Sequence, residues 1–172
     1  VTIDTSEGNV DVTFDDLNID ASSRSEAAVS VIGKGDTNIE LDGSNKLQSG
    51  RDHAGLEHNQ TVGSEGNVTS GKLTIQDDND KAGSLDAAGG RGAAGIGGGY
   101  YESYIPEEDT SSSGVGDVTI EGNTTVNAVG GEGAAGIGGG VNALTVGSDD
   151  GNKITIRGNE TGTPTVNATG GA

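Results

Sequence analysis

The aromatic residues of this chain are concentrated in one short segment, residues 100–116. Its tyrosines are three of only four aromatic side chains among 172 residues, and acidic residues flank them. A tyrosine ring can stack on the C–H face of a sugar while carboxylates accept hydrogen bonds from the sugar hydroxyls. We therefore predict a carbohydrate-binding site formed by Tyr100, Tyr101, Tyr104, Glu102 and Glu107. The alternative interpretation is a loop folded back on the molecule, with its rings covering apolar side chains.

Acidic residues cluster at further places along the sequence. Carboxylate oxygens that converge from one turn are the ligands that Ca²⁺ prefers. These clusters predict calcium sites that involve Asp77, Asp78, Asp80, Asp149 and Asp150. Neither cluster matches an EF-hand loop, so solvated acidic turns remain the alternative.

Both histidines of the chain lie within residues 51–58, next to acidic residues. Imidazole beside carboxylate is typical of a zinc site or of an acid/base pair. The candidate cluster consists of Arg51, Asp52, His53, Glu57 and His58. Because sequence neighbours on a strand point to opposite faces, we expect Asp52 and His53 to be separated.

A repeated string identifies the elements that must position these residues. Gly-Ala-Ala-Gly-Ile-Gly-Gly-Gly occurs at 92–99 and again at 133–140. A repeat of this kind cannot bury an apolar face alone, so its copies must stack on one another. Each copy also completes the G-x-G-x-x-G pattern of dinucleotide sites, which requires a helix after the glycines. Further glycines follow instead, so we interpret the strings as structural.

Three short runs of alternating apolar and polar residues recur around these strings, as is typical of half-buried strands. The first run recurs at 12–14, 39–41, 73–75, 118–120 and 154–156, the second at 19–21, 47–49, 85–87, 126–128 and 166–168, and the third at 54–56, 94–96 and 135–137. Alignment of the first runs on residues 13, 40, 74, 119 and 155 gives intervals of 27, 34, 45 and 36 residues. Each interval fits one coil of three strands with a loop of variable length. The predicted fold is all-β, a single-stranded parallel β-helix (solenoid) of about five three-strand coils.

Charge and composition limit the functions that this chain can have. The chain carries 27 acidic and 9 basic residues, a net charge of −18, which repels nucleic acid and anionic membranes. No apolar run is long enough to insert into a membrane. The basic residues are spread singly along the sequence, and we find neither the charged strand face that polysaccharide lyases need nor the facing carboxylates of hydrolases. We therefore expect no enzymatic activity.

One domain over residues 1–172 is expected, with the segment 100–116 as an inserted loop. Because the last repeat breaks off at the end of the sequence, we interpret the chain as a fragment of a longer protein. Five Asn-x-Thr triplets are candidate N-glycosylation acceptors. They begin at Asn59, Asn67, Asn123, Asn159 and Asn167. A sequence rich in Asn and Thr also produces such triplets by chance.

The repeat resembles a known group of proteins. Val118-Thr-Ile, Thr125-Val-Asn-Ala-Val-Gly-Gly and the string at 133–140 look like the glycine-rich right-handed parallel β-helix repeats of large microbial cell-surface proteins, described as adhesins or carbohydrate-binding modules. The resemblance is firm over 72–172 and faint over 1–60. It implies right-handed coils, an extracellular location at the cell surface and a binding or structural role.

Two functions are expected from these observations. The first is a non-enzymatic extracellular module for adhesion, which binds a glycan on a host or neighbouring cell, with calcium as the only cofactor considered. The second is a structural fibre or stalk subunit, a homo-oligomer that assembles by end-to-end stacking of open β-helix ends. A polysaccharide-degrading enzyme and an ice-binding protein rank below both, the latter because Glu40 interrupts the outward threonine column.

Overall fold

The computed structural model describes residues 1–63, 65–100, 111–143 and 153–172, with the backbone alone for 111–113. Within these residues every regular element is a strand, so the fold is all-β. The strands are β1 Thr2–Asp4, β2 Val10–Asp15, β3 Asn18–Asp20, β4 Val29–Ile32, β5 Thr37–Gln48, β6 Leu56–Glu57, β7 Asn59–Thr61, β8 Leu73–Asp77, β9 Gly83–Ala88, β10 Ile96–Gly97, β11 Ser111–Val115, β12 Val118–Gly122, β13 Thr125–Val129, β14 Ile137–Gly138, β15 Ile154–Arg157 and β16 Thr165–Thr169.

Most strands pair in parallel, and they form three rows. Row A contains β1, β4, β6, β10 and β14; row B contains β2, β5, β8, β12 and β15; row C contains β3, β5, β9, β13 and β16. The long β5 supplies its first half to row B and its second half to row C, which joins the two rows into one nine-stranded sheet. An antiparallel pair of β7 and β11 is added outside the rows. The chain thus visits rows A, B and C in the same order five times.

Side chains alternate between the interior and the surface along these strands, as the period of two predicts. In β8 and β12 the residues Leu73, Ile75, Val118 and Ile120 are fully buried, and the residues between them are half-buried. In row B, Val12, Ile39, Ile75, Ile120 and Ile156 form one column in register. β-branched side chains suit such a column because they pack well on a pleated surface.

All five first runs predicted from the sequence lie within strands of row B, and the second runs coincide with row C to within one residue. The third runs were predicted to start two residues too early, since β6, β10 and β14 begin only at Leu56, Ile96 and Ile137. Two strands of row A, β1 and β4, were missed. Their sequences lack the glycines that mark the later copies.

The predicted alignment of the first runs is wrong by two residues between the second and third copies. Glu40 pairs with Gln76, not with Thr74, so the residues in register are 13, 40, 76, 121 and 157. The cause is Thr37, which is fully buried and occupies an inward position in line with Leu73. A polar residue at an inward position cannot be recognised from hydrophobic alternation. Glu40 therefore lies outside the threonine column that it was expected to interrupt.

The same two-residue error occurs in the second runs, again because of a buried polar residue in β5. Asn45 pairs with Leu85 and is 1% exposed. Its side-chain oxygen accepts a hydrogen bond from the Leu17 N–H at 2.8 Å, and its amide donates to the carbonyls of Asp42 at 3.0 Å and Ser84 at 3.1 Å. The interior tolerates Asn45 because its side chain makes hydrogen bonds to backbone groups of three successive turns of the chain.

The paired glycines of the repeat form a tightly stacked corner between rows C and A. A Cβ on Gly90 would lie 1.8 Å from the Gly50 carbonyl oxygen, and one on Gly131 would lie 1.9 Å from that of Gly90. No residue except glycine fits at such an approach. The G-x-G-x-x-G segment at 90–95 leads into β10, so the strand-to-helix context of a dinucleotide site is absent from this described part of the chain.

Candidate functional site

The predicted aromatic platform meets the predicted charged cluster at this corner. The Tyr100 N–H donates to the Asp52 carbonyl at 2.9 Å. The Tyr100 ring lies against Gly92, where a Cβ would be only 2.8 Å from Tyr100 Cδ2. Gly92 has a φ of +79°, a conformation that glycine adopts without strain. Tyr100 of the segment 100–116 and Asp52 of the cluster at 51–58 therefore contribute to a single surface.

Asp52 fixes the geometry of this contact. Its φ of +71° places it in the left-handed region, which Asp adopts more readily than most residues. In this conformation its N–H donates to the Arg91 carbonyl at 3.1 Å while its own carbonyl accepts from Tyr100. Asp52 thus ties the corner of one turn to the next corner and to the tyrosine.

Charged side chains surround the tyrosine because the corners stack. Arg51, Arg91 and Glu132 each follow a corner glycine, so they recur at the same place in successive turns. Arg91 Nε lies 3.0 Å from Glu132 Oε2, and Arg51 Nε lies 3.2 Å from Asp52 Oδ2. The Arg51, Arg91 and Glu132 side chains are about two-thirds exposed, so these ion pairs contribute little to stability and stay accessible to a ligand.

Together these residues enclose a cleft of about 340 Å³, which we call the corner cleft. It is lined by Arg51, Asp52, Arg91, Gly92, Tyr100, Glu132, Gly133 and Val141. The cleft combines one aromatic face with guanidinium donors and carboxylate acceptors, the groups that recognise the C–H faces and the hydroxyls of a neutral sugar.

Arg91, Glu132 and Val141 also line this site, but we did not predict them from the sequence. Arg91 and Glu132 immediately precede the glycine-rich strings, within the G-x-G-x-x-G segments that we interpreted as structural. A usable signal exists in the sequence. The residue that follows the corner glycine at 50, 90 and 131 is charged each time, although the sign of its charge is not the same in all three copies. The other members of the predicted tyrosine site, Tyr101, Glu102, Tyr104 and Glu107, lie outside the described residues, and their role stays a prediction.

His53 and Glu57 form a pair beside the corner cleft. His53 Nδ1 lies 2.9 Å from Glu57 Oε2, which also accepts from the Ala54 N–H at 3.1 Å. The hydrogen bond to the Glu57 carboxylate raises the pKa of His53 above its ordinary value, against the opposing effect of partial burial. The pair borders a second depression of about 260 Å³, near Ser25 and Ser30.

His58 does not join this pair. It is 2% exposed, its Nε2 lies 2.9 Å from the Gly71 carbonyl oxygen, and burial lowers its pKa. It lies one residue beyond Glu57 on the strand path, so the two side chains point to opposite faces. Among the described residues no group of three or more His, Asp or Glu side chains is arranged to hold a metal ion. A zinc site or an acid/base function in this segment stays a prediction.

The first acidic cluster is divided between two faces of β8 and its turn. Asp77 is buried and accepts a hydrogen bond from the Gly83 N–H at 2.8 Å, which closes the turn into β9. Asp78 is exposed and accepts from Gln76 Nε2 at 3.0 Å, while Asp80 is also exposed. Lys81 brings a positive charge to the same turn by pairing with Asp15. Asp149 and Asp150 lie outside the described residues, and calcium binding stays a prediction at both clusters.

The five candidate glycosylation acceptors differ in exposure. Asn59 is half-buried, and its side-chain oxygen accepts from the Gly99 N–H at 3.0 Å. The other four are exposed: Asn67, Asn123, Asn159 and Asn167. Asn167 donates to Asn127 Oδ1 at 2.8 Å, as part of an outward asparagine column in row C. Asn59 is therefore the least accessible acceptor, and modification of any of them stays a prediction.

Comparison with protein-family models, curated proteins and solved structures finds no match to this chain. Within the described residues, none of the elements is a helix with the length and apolar character needed to cross a membrane.

Proposed function

We propose that this chain is a right-handed parallel β-helix that serves as a non-enzymatic extracellular surface module for adhesion and binds carbohydrate at the corner cleft. The β-helix is supported by the five passages through rows A, B and C in constant order, with equivalent strands paired in parallel. Parallel strands joined by crossovers are almost always right-handed. In such a coil the corners recur once per turn, which explains why Arg51, Arg91 and Glu132 converge.

The observation that carries the binding proposal is the position of Tyr100. Its backbone is anchored by a hydrogen bond to the Asp52 carbonyl and its ring lies against Gly92, so the ring has limited freedom before a ligand arrives. A restricted ring loses little conformational entropy on binding. Arg91 and Glu132 offer hydrogen bonds in the same cleft, at side chains that solvent already reaches.

A glycan array with three proteins tests this proposal: the unmodified chain, Tyr100→Ala and Tyr100→Phe. We expect Tyr100→Ala to weaken binding of neutral glycans about tenfold or more, since stacking area is lost, whereas Tyr100→Phe keeps the ring and most of the affinity. Melting curves of the three proteins should nearly coincide. The proposal is wrong if no glycan binds the unmodified chain, or if Tyr100→Ala binds as well as Tyr100→Phe.

A structural fibre or stalk is the second candidate, and one specific observation favours it. Ile154 and Ile156 of β15 are 39% and 51% exposed, although they stand in register with fully buried residues of β12. An apolar edge strand with free backbone groups is a template for pairing with another chain. Stacking of this edge on the β2 edge of a second copy would be a heterologous contact, which extends without closing.

Electron microscopy and sedimentation of Ile156→Lys separate the two candidates. If the chain forms fibres through β15, the unmodified protein shows filaments and Ile156→Lys shows none. Ile32→Lys is the matched control, because Ile32 is 47% exposed at the end of β4. Monodisperse particles in all three samples would exclude assembly through this edge.

A further inference from the structure

Four of the chain's nine basic residues converge on one groove, although the sequence shows them spread singly. The groove has a volume of about 650 Å³ and lies on the outward face of row B. Lys34, Lys72, Lys153 and Arg157 line it. Their single spacing along the chain gave no sign of this surface, because residues far apart in sequence occupy neighbouring turns. We call this surface the lysine groove.

The strand register brings these residues together. Leu73 of β8, Val118 of β12 and Ile154 of β15 are partners, so the residues just before them, Lys72, Asp117 and Lys153, also stack. Backbone hydrogen bonds continue the ladder through these positions: the Leu73 N–H donates to the Asp117 carbonyl at 2.9 Å. The resulting column alternates in charge from turn to turn.

The acidic and basic members of this column are not equivalent. Asp36 Oδ1 accepts from the Lys72 N–H at 2.9 Å, and Asp117 Oδ1 accepts from the Lys153 N–H at 2.9 Å, so both carboxylates are already hydrogen-bonded to the backbone. Within the described residues, Arg157 of the groove pairs with Glu121, and the other ion pairs use cations outside the groove. The ammonium groups of Lys34, Lys72 and Lys153 form none within 4.0 Å in the same part of the chain.

Hydroxyl groups run beside the lysines. Thr74, Thr119 and Thr155 form an outward column in register, and all three are half-buried walls of the groove. Ser70 adds a hydroxyl oxygen that is buried and has no hydrogen-bond partner among the described residues. A buried hydroxyl without a partner is unfavourable unless a bound molecule satisfies it.

The spacing of these groups indicates the shape of the ligand. Adjacent parallel strands lie about 4.8 Å apart, so Lys72 and Lys153, two strands apart in the stack, are about 9.6 Å apart along the row. In an extended polyuronate chain successive sugars alternate in orientation, so carboxylates on one side recur at every second sugar, a distance of the same order. The threonine column supplies donors and acceptors to the sugar hydroxyls between them.

We propose that the lysine groove binds an acidic polysaccharide lengthwise, with carboxylates of alternate sugars on Lys72 and Lys153 and hydroxyls on the threonine column. This site is separate from the corner cleft and does not rest on the carbohydrate proposal made for it. Because the whole chain carries a net charge of −18, long-range attraction does not favour a polyanion. Binding therefore depends on the local contacts, and we expect it to be sensitive to substitution of Lys72 and Lys153.

Titration calorimetry with oligomers of polygalacturonate tests the proposal. The variant K72Q/K153Q should bind about tenfold more weakly than the unmodified chain, because two ion pairs are lost. Lys72→Arg with Lys153→Arg keeps both charges and should retain most of the affinity, which separates a loss of charge from a loss of folding. Lys46→Gln is the matched control, since Lys46 is an exposed lysine of row C.

Four results would overturn the proposal. The first three are absence of binding by the unmodified chain, equal binding of the fully methyl-esterified polymer, and equal weakening by Lys46→Gln and K72Q/K153Q. Tyr100→Ala should leave polygalacturonate binding unchanged. The two sites are thus tested separately, because one can bind its ligand when the other does not. Binding of single-stranded DNA as tight as that of polygalacturonate would also overturn it, because a general anion site would then explain the result.

Discussion

The corner cleft and the lysine groove are both built by stacking of equivalent positions, but the first is balanced in charge and the second carries an excess of positive charge. In the corner cleft each arginine has a carboxylate partner, Asp52 for Arg51 and Glu132 for Arg91. In the lysine groove the carboxylates of Asp36 and Asp117 are hydrogen-bonded to backbone N–H groups, and the lysine ammonium groups form no ion pair with the residues that the structure describes. Stacking of equivalent positions fixes where side chains recur, and one residue per turn decides whether the surface suits a neutral or an anionic ligand.

The largest expected effect comes from the backbone stacking that both surfaces share. In Gly131→Ala the new Cβ would lie 1.9 Å from the Gly90 carbonyl oxygen, so the corner beside Arg91 and Glu132 must move apart. We expect a loss of about 3 kcal/mol in the free energy of unfolding, measured by urea denaturation. The corner cleft should lose glycan binding even where the protein stays folded.

Gly170→Ala is the matched control for this substitution. A Cβ on Gly170 meets only the Ala134 carbonyl oxygen, at an ordinary contact distance of 3.4 Å. Its stability should stay within about 0.5 kcal/mol of the unmodified chain. If Gly131→Ala is as stable as Gly170→Ala, close stacking of the corners is not what positions the cleft.

A second substitution weakens the fold at a distance from both surfaces. Asn45→Ala leaves the Leu17 N–H and the carbonyls of Asp42 and Ser84 without their side-chain partner in the interior. We expect a loss of about 2 kcal/mol, again by urea denaturation. Asn167→Ala removes only an exposed hydrogen bond to Asn127 and should have little effect. Under conditions where Asn45→Ala is folded, both ligands should bind it normally; altered binding would mean that the two surfaces are coupled through β5.

Asn45 also shows how far the sequence can predict this molecule. Hydrophobic alternation predicted the all-β class and the strand positions, since Leu73 and Ile75 in β8, like Val118 and Ile120 in β12, are spaced as a pleated strand requires. It could not predict the register between the second and third turns, because Thr37 and Asn45 are polar yet buried. Asn45 is stabilised by hydrogen bonds to other turns, and Thr37 packs in line with Val10 and Leu73 of the neighbouring turns; only the folded chain supplies these contacts.

The candidate sites were predictable to different degrees for the same reason. Tyr100 and Asp52 were recognised because their residue types are rare or clustered in this sequence. Arg91 and Glu132 were overlooked because they adjoin a repeated string that we interpreted as structural, and the four cations of the lysine groove are spread over more than a hundred positions. Such residues become neighbours only once the length of every intervening loop and the register are known.

Thr37→Val is expected to have a smaller effect of the opposite sign. Thr37 is fully buried beside the lysine groove, in line with Val10 and Leu73, and its hydroxyl has no hydrogen-bond partner among the described residues. Valine keeps the shape and removes the unsatisfied hydroxyl, so we expect a gain of about 1 kcal/mol in the free energy of unfolding.

Thr37→Ser is the informative counterpart, because it keeps the hydroxyl and deletes the methyl group. It should lose about 1 kcal/mol relative to the unmodified chain. Destabilisation by Thr37→Val would show that the hydroxyl is satisfied in solution, for example by water entering from the lysine groove. In that case the groove reaches deeper into the interior than its lining indicates.

The smallest expected effect concerns pH and lies at the border of the corner cleft. The Glu57 hydrogen bond raises the pKa of His53 above its unfolded value of about 6.5, so the folded chain holds this proton more tightly than the unfolded chain. The resulting stabilisation is complete below about pH 6.5 and is lost as the pH rises through the raised pKa. In Glu57→Gln this pH-dependent contribution should disappear.

His58 provides an internal control of opposite sign in the same NMR titration. Burial lowers its pKa, so protonation of His58 opposes folding as the pH falls below about 6.5. We expect the His53 ring signals to titrate above this value in the unmodified chain and closer to it in Glu57→Gln, with His58 unchanged. Coincident titration of both histidines near 6.5 would contradict the His53–Glu57 contact. Since Asp52 adjoins His53, loss of that contact would also weaken the case for a rigid corner beside Tyr100.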